Sequence, residues 1–345
     1  MTSPVRIGLA GYGFGGRYFH APLLAAADSC HFLGVVTRSP ERRATVGQDL
    51  PGRATFDDLR SLADAGAEAV AISTPADTHI ALAKEALRLG LAVVCDKPFA
   101  LDAASAREAV AEAESRGLPL TVYQNRRWDS DLRTLRGLLD RQALGQVRRF
   151  ESSFERFSPD PGPPAAGGGT LLDFGSHLVD QALHLFGPVT TVYAELVIGS
   201  NGLDDDVFVS LAHRSGVRSH LSGSWVQGAP APRLRVTGSS ATYVVGGMDV
   251  QESQLLAGLS PATAGDKWGL ETDSRGSGLR AGETFSPVPL ERGRWDLFYP
   301  AFADAVRGNG AVPVDPRDAV HTAEVLDAAR RSARTGETVR LEEGA

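Results

Sequence analysis

Two groups of residues in this chain are suited to moving a proton. The first is Asp173 and His177, four positions apart in Gly167-Gly168-Gly169-Thr170-Leu171-Leu172-Asp173-Phe174-Gly175-Ser176-His177. On a helix that spacing puts both on one face. A histidine beside a carboxylate can take a proton from a hydroxyl near neutral pH. The glycines ahead of the pair permit close approach of backbone and ligand. A helix-start aspartate with a satisfied histidine is the structural alternative. A metal pair is disfavoured, because no obvious cysteine or carboxylate set completes a site. His184 reads as structural. The second group is Lys97. Only three lysines occur, at 84, 97 and 267, among 35 lysine and arginine residues. Lys97 ends the apolar run Val93-Val94-Cys95-Asp96 and precedes Pro98, which stiffens the turn. Arginine stays charged at any working pH, whereas lysine can give up its proton when desolvated or near another cation.

A glycine-rich loop lies near the start of the chain. Gly11-Tyr12-Gly13-Phe14-Gly15-Gly16 follows the predicted strand Val5-Ala10, and Gly11, Gly13 and Gly16 match G-x-G-x-x-G. The first glycine permits a tight turn, the second lets the backbone approach a pyrophosphate, and the third lets helix and strand pack closely. About 20 residues on, an NAD site usually carries an acidic residue for the ribose. Here that position is Thr37, followed by Arg38 and Ser39. A carboxylate would repel a 2′-phosphate, whereas arginine and small hydroxyls can hold one, so the expectation is NADP, with NAD as the alternative. Ser73-Thr74-Pro75 ends a later strand, where ligands of open parallel sheets sit. Asp77 or Thr78 can bind there or cap the next helix. Tyr123-Gln124-Asn125-Arg126-Arg127-Trp128-Asp129-Ser130-Asp131 offers amide, guanidinium and indole groups for a polyhydroxylated or carboxylate-bearing ligand. An interdomain polar hinge with a helix cap at Asp129 is the alternative for Arg127 and Asp131.

These residues need a scaffold. A chain of 345 residues suggests about two domains and a sizeable core. The formal charge is 35 − 42 = −7 and no basic block stands out, so a nucleic-acid footprint is missing. No apolar run approaches the ~20 residues that span a bilayer. Met1-Thr2-Ser3-Pro4-Val5-Arg6 has no secretory pattern. Cys30 and Cys95 read as buried thiols of a reducing cytosol, which makes the expected location cytoplasmic. Residues 5 to 122 alternate β-branched runs with amphipathic helices (Ile80-Leu89, Ala103-Arg116), which predicts an α/β domain with a doubly wound parallel sheet. After 123 the spacing predicts helices over Asp129-Arg141 and Leu171-Phe186, with a Pro/Gly loop at Ser158-Gly169. Strand-like runs from Val147 to Val245 look antiparallel. Residues 258–285 read as loop, and two helices close the chain, Leu297-Arg307 and Pro316-Thr335. The division is therefore 1–122, binding NAD(P), and 123–345, binding substrate.

In this order the motifs resemble those of the Gfo/Idh/MocA oxidoreductase family. The resemblance rests on Gly11-to-His20, Ser73-to-His79, Asp96-Lys97-Pro98 and Asp173-x-x-x-His177, and it runs nearly the full length. Tyr123-to-Asp131 and Gly175-Ser176-His177 look most like the NADP-dependent scyllo-inositol dehydrogenase branch. The resemblance implies a Rossmann domain followed by an α+β domain on a large, mostly antiparallel open sheet, with the active site between them. It implies His177 as general base, with Lys97 and Asp173 completing the proton network, in hydride transfer between nicotinamide and a cyclic polyol or sugar. It assigns the cofactor to Gly11, Gly13, Phe14, Gly15, Gly16, Thr37, Arg38, Ser39, Ser73, Thr74, Pro75, His79, Asp96 and Lys97. Substrate falls to Asn125, Arg126, Trp128, Arg156, Asp173 and His177. It also implies a homodimer or homotetramer joined through the open sheet face. Two departures stand out: Asp96 replaces the family's usual Glu, and the loop Ser158-to-Ala166 is rich in Pro and Ala. A glycosidase using transient oxidation and a non-catalytic dinucleotide sensor are the competing readings. Lys97 and His177 argue against the sensor, which would be free to lose them.

Overall fold

The computed structural model describes residues 3–341, so Met1, Thr2 and the last four residues lie outside the described residues. The described residues gather into two units. The first takes in the chain through Asn125 together with Gln251–Trp268 and Arg294–Val320; the second takes in Arg126–Val250, Gly269–Gly293 and the chain from His321.

In the first unit six short strands form one parallel sheet: β1 Val5–Ala10, β2 Cys30–Val36, β3 Ala54–Phe56, β4 Ala69–Ile72, β5 Ala92–Cys95 and β6 Leu120–Val122. Their order is β3-β2-β1-β4-β5-β6, so the order reverses beside β1. In such sheets ligands bind beyond the carboxyl ends of the strands at that reversal. β4, β5 and β6 are buried at every position, as a sheet covered on both faces requires. The helices alternate with the strands: α1 Ala21–Ala26, α2 Pro40–Asp49, α3 Leu59–Asp64, α4 His79–Arg88 and α5 Ala103–Arg116. α5 starts on an Asp102 side chain that accepts from the Ser105 amide and stops at left-handed Gly117. It buries Ala103, Ala106, Ala109, Val110 and Ala113 at helical spacing. Later segments complete the unit. The Phe298 ring meets Tyr123 edge-on at 4.7 Å, and Thr121 Oγ1 donates to the Val314 carbonyl at 2.8 Å.

The second unit opens with α6 Ser130–Asp140 and is built on nine strands: β7 Val147–Glu155, β8 Val189–Ile198, β9 Asp204–His213, β10 Arg218–Ser224, β11 Leu234–Gly238, β12 Thr242–Val245, β13 Gly278–Ala281, β14 Thr284–Pro287 and β15 Val339–Arg340. The order is β14-β13-β12-β11-β7-β10-β9-β8-β15. Every pair is antiparallel except β7 with β10. α7 Thr170–Phe186 packs on β7, β9 and β10. Its Phe174, Leu178, Val179 and Ala182 join Phe150, Val192, Val209, Leu221 and Tyr243 in the core. Each large apolar side chain buried there contributes roughly 1.5–3 kcal/mol.

Two expectations need correction. Residues 258–285 are not all loop: they contain a helical turn at Pro261–Ala264 and β13, and β14 begins at Thr284. Glycine and serine content hid a hairpin whose pairing to β12 comes from the partner strand. Cys30 is only half-buried; Cys95 is buried, and both are free thiols. Burial pushes the Cys30 thiol up to about 11.

Candidate active site

The first unit joins the glycine loop to the lysine turn through one carboxylate. Gly11 has φ +95, which favours glycine, and a β-carbon there would run into the Ser73 carbonyl. A β-carbon on Gly16 would meet the Gly11 carbonyl, so the third glycine of the motif is required by packing. A β-carbon on Gly13 would meet nothing within 4 Å, which leaves open space for a pyrophosphate to approach. Gly15 has a separate cause. Its β-carbon would stand 2.6 Å from Ser73 Oγ and 3.0 Å from Asp96 Oδ2.

Asp96 is the hub. Oδ2 accepts a hydrogen bond from Ser73 Oγ at 2.8 Å, and Oδ1 accepts from the Lys97 backbone amide at 2.8 Å. His20 Nε2 stands 3.2 Å from Oδ2 but outside hydrogen-bond geometry. Burial alone would raise the Asp96 carboxyl. The charge and close approach of His20, then the charges of Lys97 and His79, outweigh it and hold the group well below the usual carboxylate range. His20 is fully buried; its Nδ1 is 2.6 Å from the Tyr299 hydroxyl and its ring lies 4.2 Å from that of Tyr123. The glycine motif implies a helix packed on the strand, and here Gly15–His20 winds as a π-helical segment with His20 its last residue. The neighbouring turn is also pinned. Asp49 accepts from the Tyr12 hydroxyl at 3.1 Å and from Arg17 at 2.6 Å. Asp49 and Tyr299 carry no motif of their own in the sequence, and His20 is marked only as the end of the Gly11-to-His20 stretch.

A cavity of about 520 Å³ opens along Gly11, Thr37, Arg38, Ser39, Arg42 and Thr74. Its charges are unevenly engaged. Asp57, on the wall, pairs with Arg43 at 2.6 Å, and Asp58 accepts from the Ser61 amide at 2.8 Å to cap α3. The Ser61 amide and hydroxyl, ahead of Arg60 and Arg38, hold Asp58 below its usual range. Arg38 and Arg42 have no ion pair among the described residues. Ser39 caps α2 by accepting from the Arg42 amide at 3.3 Å, which fixes where Arg42 starts. Arg42 lies outside the Thr37-Arg38-Ser39 segment and carries no motif of its own. Phe14 is 59% exposed and packs on Tyr18 at 5.3 Å. Thr78 does not cap α4; its hydroxyl donates to the Pro75 carbonyl and meets Thr74 Oγ1, both at 2.6 Å. Asn125 is buried in the short turn that ends at Trp128. These residues fit a dinucleotide: a turn without side-chain obstruction at Gly13, and two uncommitted cations along the cavity.

In the second unit, α7 carries Asp173 and His177 on one face, with His177 buried and Asp173 partly exposed. The glycine run before them has a structural cause as well. Gly169 has φ +97, and a β-carbon there would collide with Asp204. Asp204 Oδ2 accepts from the Leu171 amide at 2.6 Å, and Thr170 Oγ1 donates to the Asp204 carbonyl at 2.6 Å. This residue of β9 therefore anchors the start of the helix, a long-range contact with no local signal. Burial raises its carboxyl against those backbone bonds. Near His177 stands a stack of rings: Phe154 on Phe174 at 4.0 Å and Phe174 on Trp225 at 5.0 Å. The His177 ring lies 6.3 Å from Phe154. Arg156 reaches all three rings at 5.5–5.7 Å, and Arg126 lies over Phe154 at 4.6 Å.

Other predicted polar residues belong to a buried network. Arg127 pairs with Asp180 through two bonds of 2.6 and 2.9 Å. Asp131 is fully buried and faces Arg275 at 3.5 Å. Both contacts lie within the second unit, where they tie its own elements together. Asp129 heads α6 without capping it; Asp249 accepts from the Ser130 amide instead, at 2.7 Å. Trp128 is half-buried, and the Arg136 guanidinium lies 2.8 Å from His184. Among the described residues no group of three His, Cys, Asp or Glu could hold a metal, and no helix is long and apolar enough to cross a membrane.

A doubly wound sheet with this glycine loop and a lysine turn on its carboxyl edge defines a dinucleotide-binding oxidoreductase. Residues 5–124 match the oxidoreductase family with the NAD-binding Rossmann fold, and residues 132–244 match the GFO/IDH/MocA C-terminal domain. The chain belongs to the GFO/IDH/MocA family of oxidoreductases. It is 36% identical to the uncharacterized oxidoreductase YdgJ of Escherichia coli (strain K12), over 99% of this chain and 100% of the relative. It is 29% identical to the scyllo-inositol 2-dehydrogenase (NADP(+)) IolW of Bacillus subtilis (strain 168), over 98% and 96%. The solved structure of YPO2259 from Yersinia pestis superposes with a TM-score of 0.92 at 31% identity, covering 100% of this chain and 99% of that one.

Proposed function

We propose that this chain is an NADP-preferring dehydrogenase or reductase of a cyclic polyol or sugar, with inositols the first candidates. The observation that carries the reading is the reach of Asp96. It touches the Lys97 amide and lies 3.0 Å from where a Gly15 side chain would begin, so Lys97 stands beside the cofactor loop. Two further observations support it. The cavity beside Thr37 offers Arg38 and Arg42 without carboxylate partners, as a 2′-phosphate needs. The relative IolW is an NADP-dependent scyllo-inositol dehydrogenase.

A bound nicotinamide supplies hydride acceptance or donation at a carbinol or carbonyl carbon. The chain's own residues handle the proton. His177 takes it from the substrate hydroxyl as general base, and Lys97 and Asp173 complete the proton and hydrogen-bond network. Arg126, Arg156 and Trp128 hold the substrate's polar rim. Residues 1–122 bind the cofactor; residues 123–345 bind substrate and form a homodimer or homotetramer through the open sheet face. The free thiols support a cytoplasmic location. The test is a panel of inositols and aldoses with NADP and NAD in both directions. Turnover of at least one polyol or sugar, faster with NADP, is expected. Absence of turnover across the panel overturns the reading.

A further inference from the structure

His79, the first residue of α4, is 1% exposed, and each ring nitrogen faces a carbonyl oxygen. Nδ1 is 2.8 Å from the Pro98 carbonyl and Nε2 is 2.9 Å from the Thr74 carbonyl. Carbonyl oxygens only accept. A neutral imidazole carries one N–H, so it would satisfy one carbonyl and set a bare lone pair against the other. Only the ring with both nitrogens protonated makes both bonds. A buried cation needs a counter-charge. Asp96 is the carboxylate of this neighbourhood, which also holds His20, Lys97 and the Tyr123 and Tyr299 hydroxyls.

The two carbonyls belong to different turns. Thr74 lies in the turn after β4, beside the cavity; Pro98 follows Lys97 directly. We propose that His79 is a doubly donating strap that ties the Ser73-Thr74-Pro75 turn to the Asp96-Lys97-Pro98 turn, making it a positioning residue that acts through Lys97. This rests on the reading of Lys97 as the cation that polarises the substrate oxygen. Both bonds leaving the ring are charge-assisted, which makes them stronger than neutral ones.

The experiment is long-range proton–nitrogen NMR of the full chain labelled at imidazole nitrogen, with and without NADP, at neutral pH. Loss of one signal set in His79→Gln identifies the residue. The expected result is two ring N–H protons and two nitrogens at protonated shifts, where a free imidazole is mostly neutral. A single N–H with one bare nitrogen overturns the strap. In parallel, kcat should fall about tenfold or more in His79→Gln while KM for NADP moves much less. An unchanged kcat in a folded His79→Gln overturns the positioning role. Lys97→Met separates the two ideas. If it keeps full activity, the lysine reading fails, and the NMR result still decides the charge on His79.

Discussion

Ser73 Oγ donates to Asp96 Oδ2 at 2.8 Å, and the absence of a side chain at Gly15 is what leaves room for that bond. The pair ties the end of β4 to the residue before Lys97. It also accounts for the short carboxylate at 96. The methylene that distinguishes Glu from Asp would push the carboxylate by about 1.5 Å into a space already bounded by Ser73, His20 and Gly15.

A double-mutant cycle tests the pair. Ser73→Ala and Asp96→Asn should each lower kcat/KM by roughly tenfold, and the double variant should lose little more than the worse single one, because both break one network. Strictly additive losses would show that the two act separately.

Two glycines should separate folding from ligand binding. Gly13→Ala has open space, so thermal unfolding should stay close to that of the natural chain while NADP binding weakens by tenfold or more, about 1.4 kcal/mol. Gly15→Ala meets Ser73 Oγ at 2.6 Å and should lower both. Isothermal titration and calorimetry read the two effects. A Gly13→Ala that binds NADP normally would remove the loop from the cofactor site.

Arg38→Ala and Arg42→Ala should each raise KM for NADP by about 10- to 150-fold, the range of a charged hydrogen bond worth ~1.5–3 kcal/mol, and leave KM for NAD nearly unchanged. Equal losses with both cofactors would mean that the arginines do not read the 2′-phosphate.

The sequence exposes what is local and periodic. β1 occupies the predicted residues because a continuous apolar run marks a buried parallel strand, and α5 does so because cap, period and C-terminal glycine agree. The glycine loop, Lys97 and the shared face of Asp173 and His177 are legible for the same reason. Asp204 and Tyr299 are not, and the contact His20 makes is not, although His20 closes the glycine stretch. Each matters through a partner far away in the chain, Asp96 for His20, Leu171 for Asp204 and His20 for Tyr299. The hairpin of β13 and β14 was hidden because its residues are poor in β-branched side chains and take their conformation from pairing. The first unit's later segments carry no composition shift that would assign them to it.

Glu68 should give the first unit an acid-sensitive clamp. Arg307 hydrogen bonds lead the causes that lower its carboxyl from 4.5 to about 2, with Arg6 adding to them against burial. Because the folded form holds its proton less tightly, this stability is present above pH 4.5 and is lost as pH falls toward about 2. With the side chain 28% exposed, Glu68→Gln should cost roughly 1–2 kcal/mol at neutral pH, and the difference should vanish in acid. Urea unfolding across that range measures it. A pH-independent difference would assign the effect to packing.

The most direct test of the central claim is the turnover number of His177→Ala against the natural chain, with NADP and an inositol or aldose that the natural chain turns over. The account predicts a loss of about 10²- to 10⁴-fold in kcat, the usual contribution of a general base, with NADP affinity retained. A His177→Ala enzyme that turns over at the natural rate would contradict it.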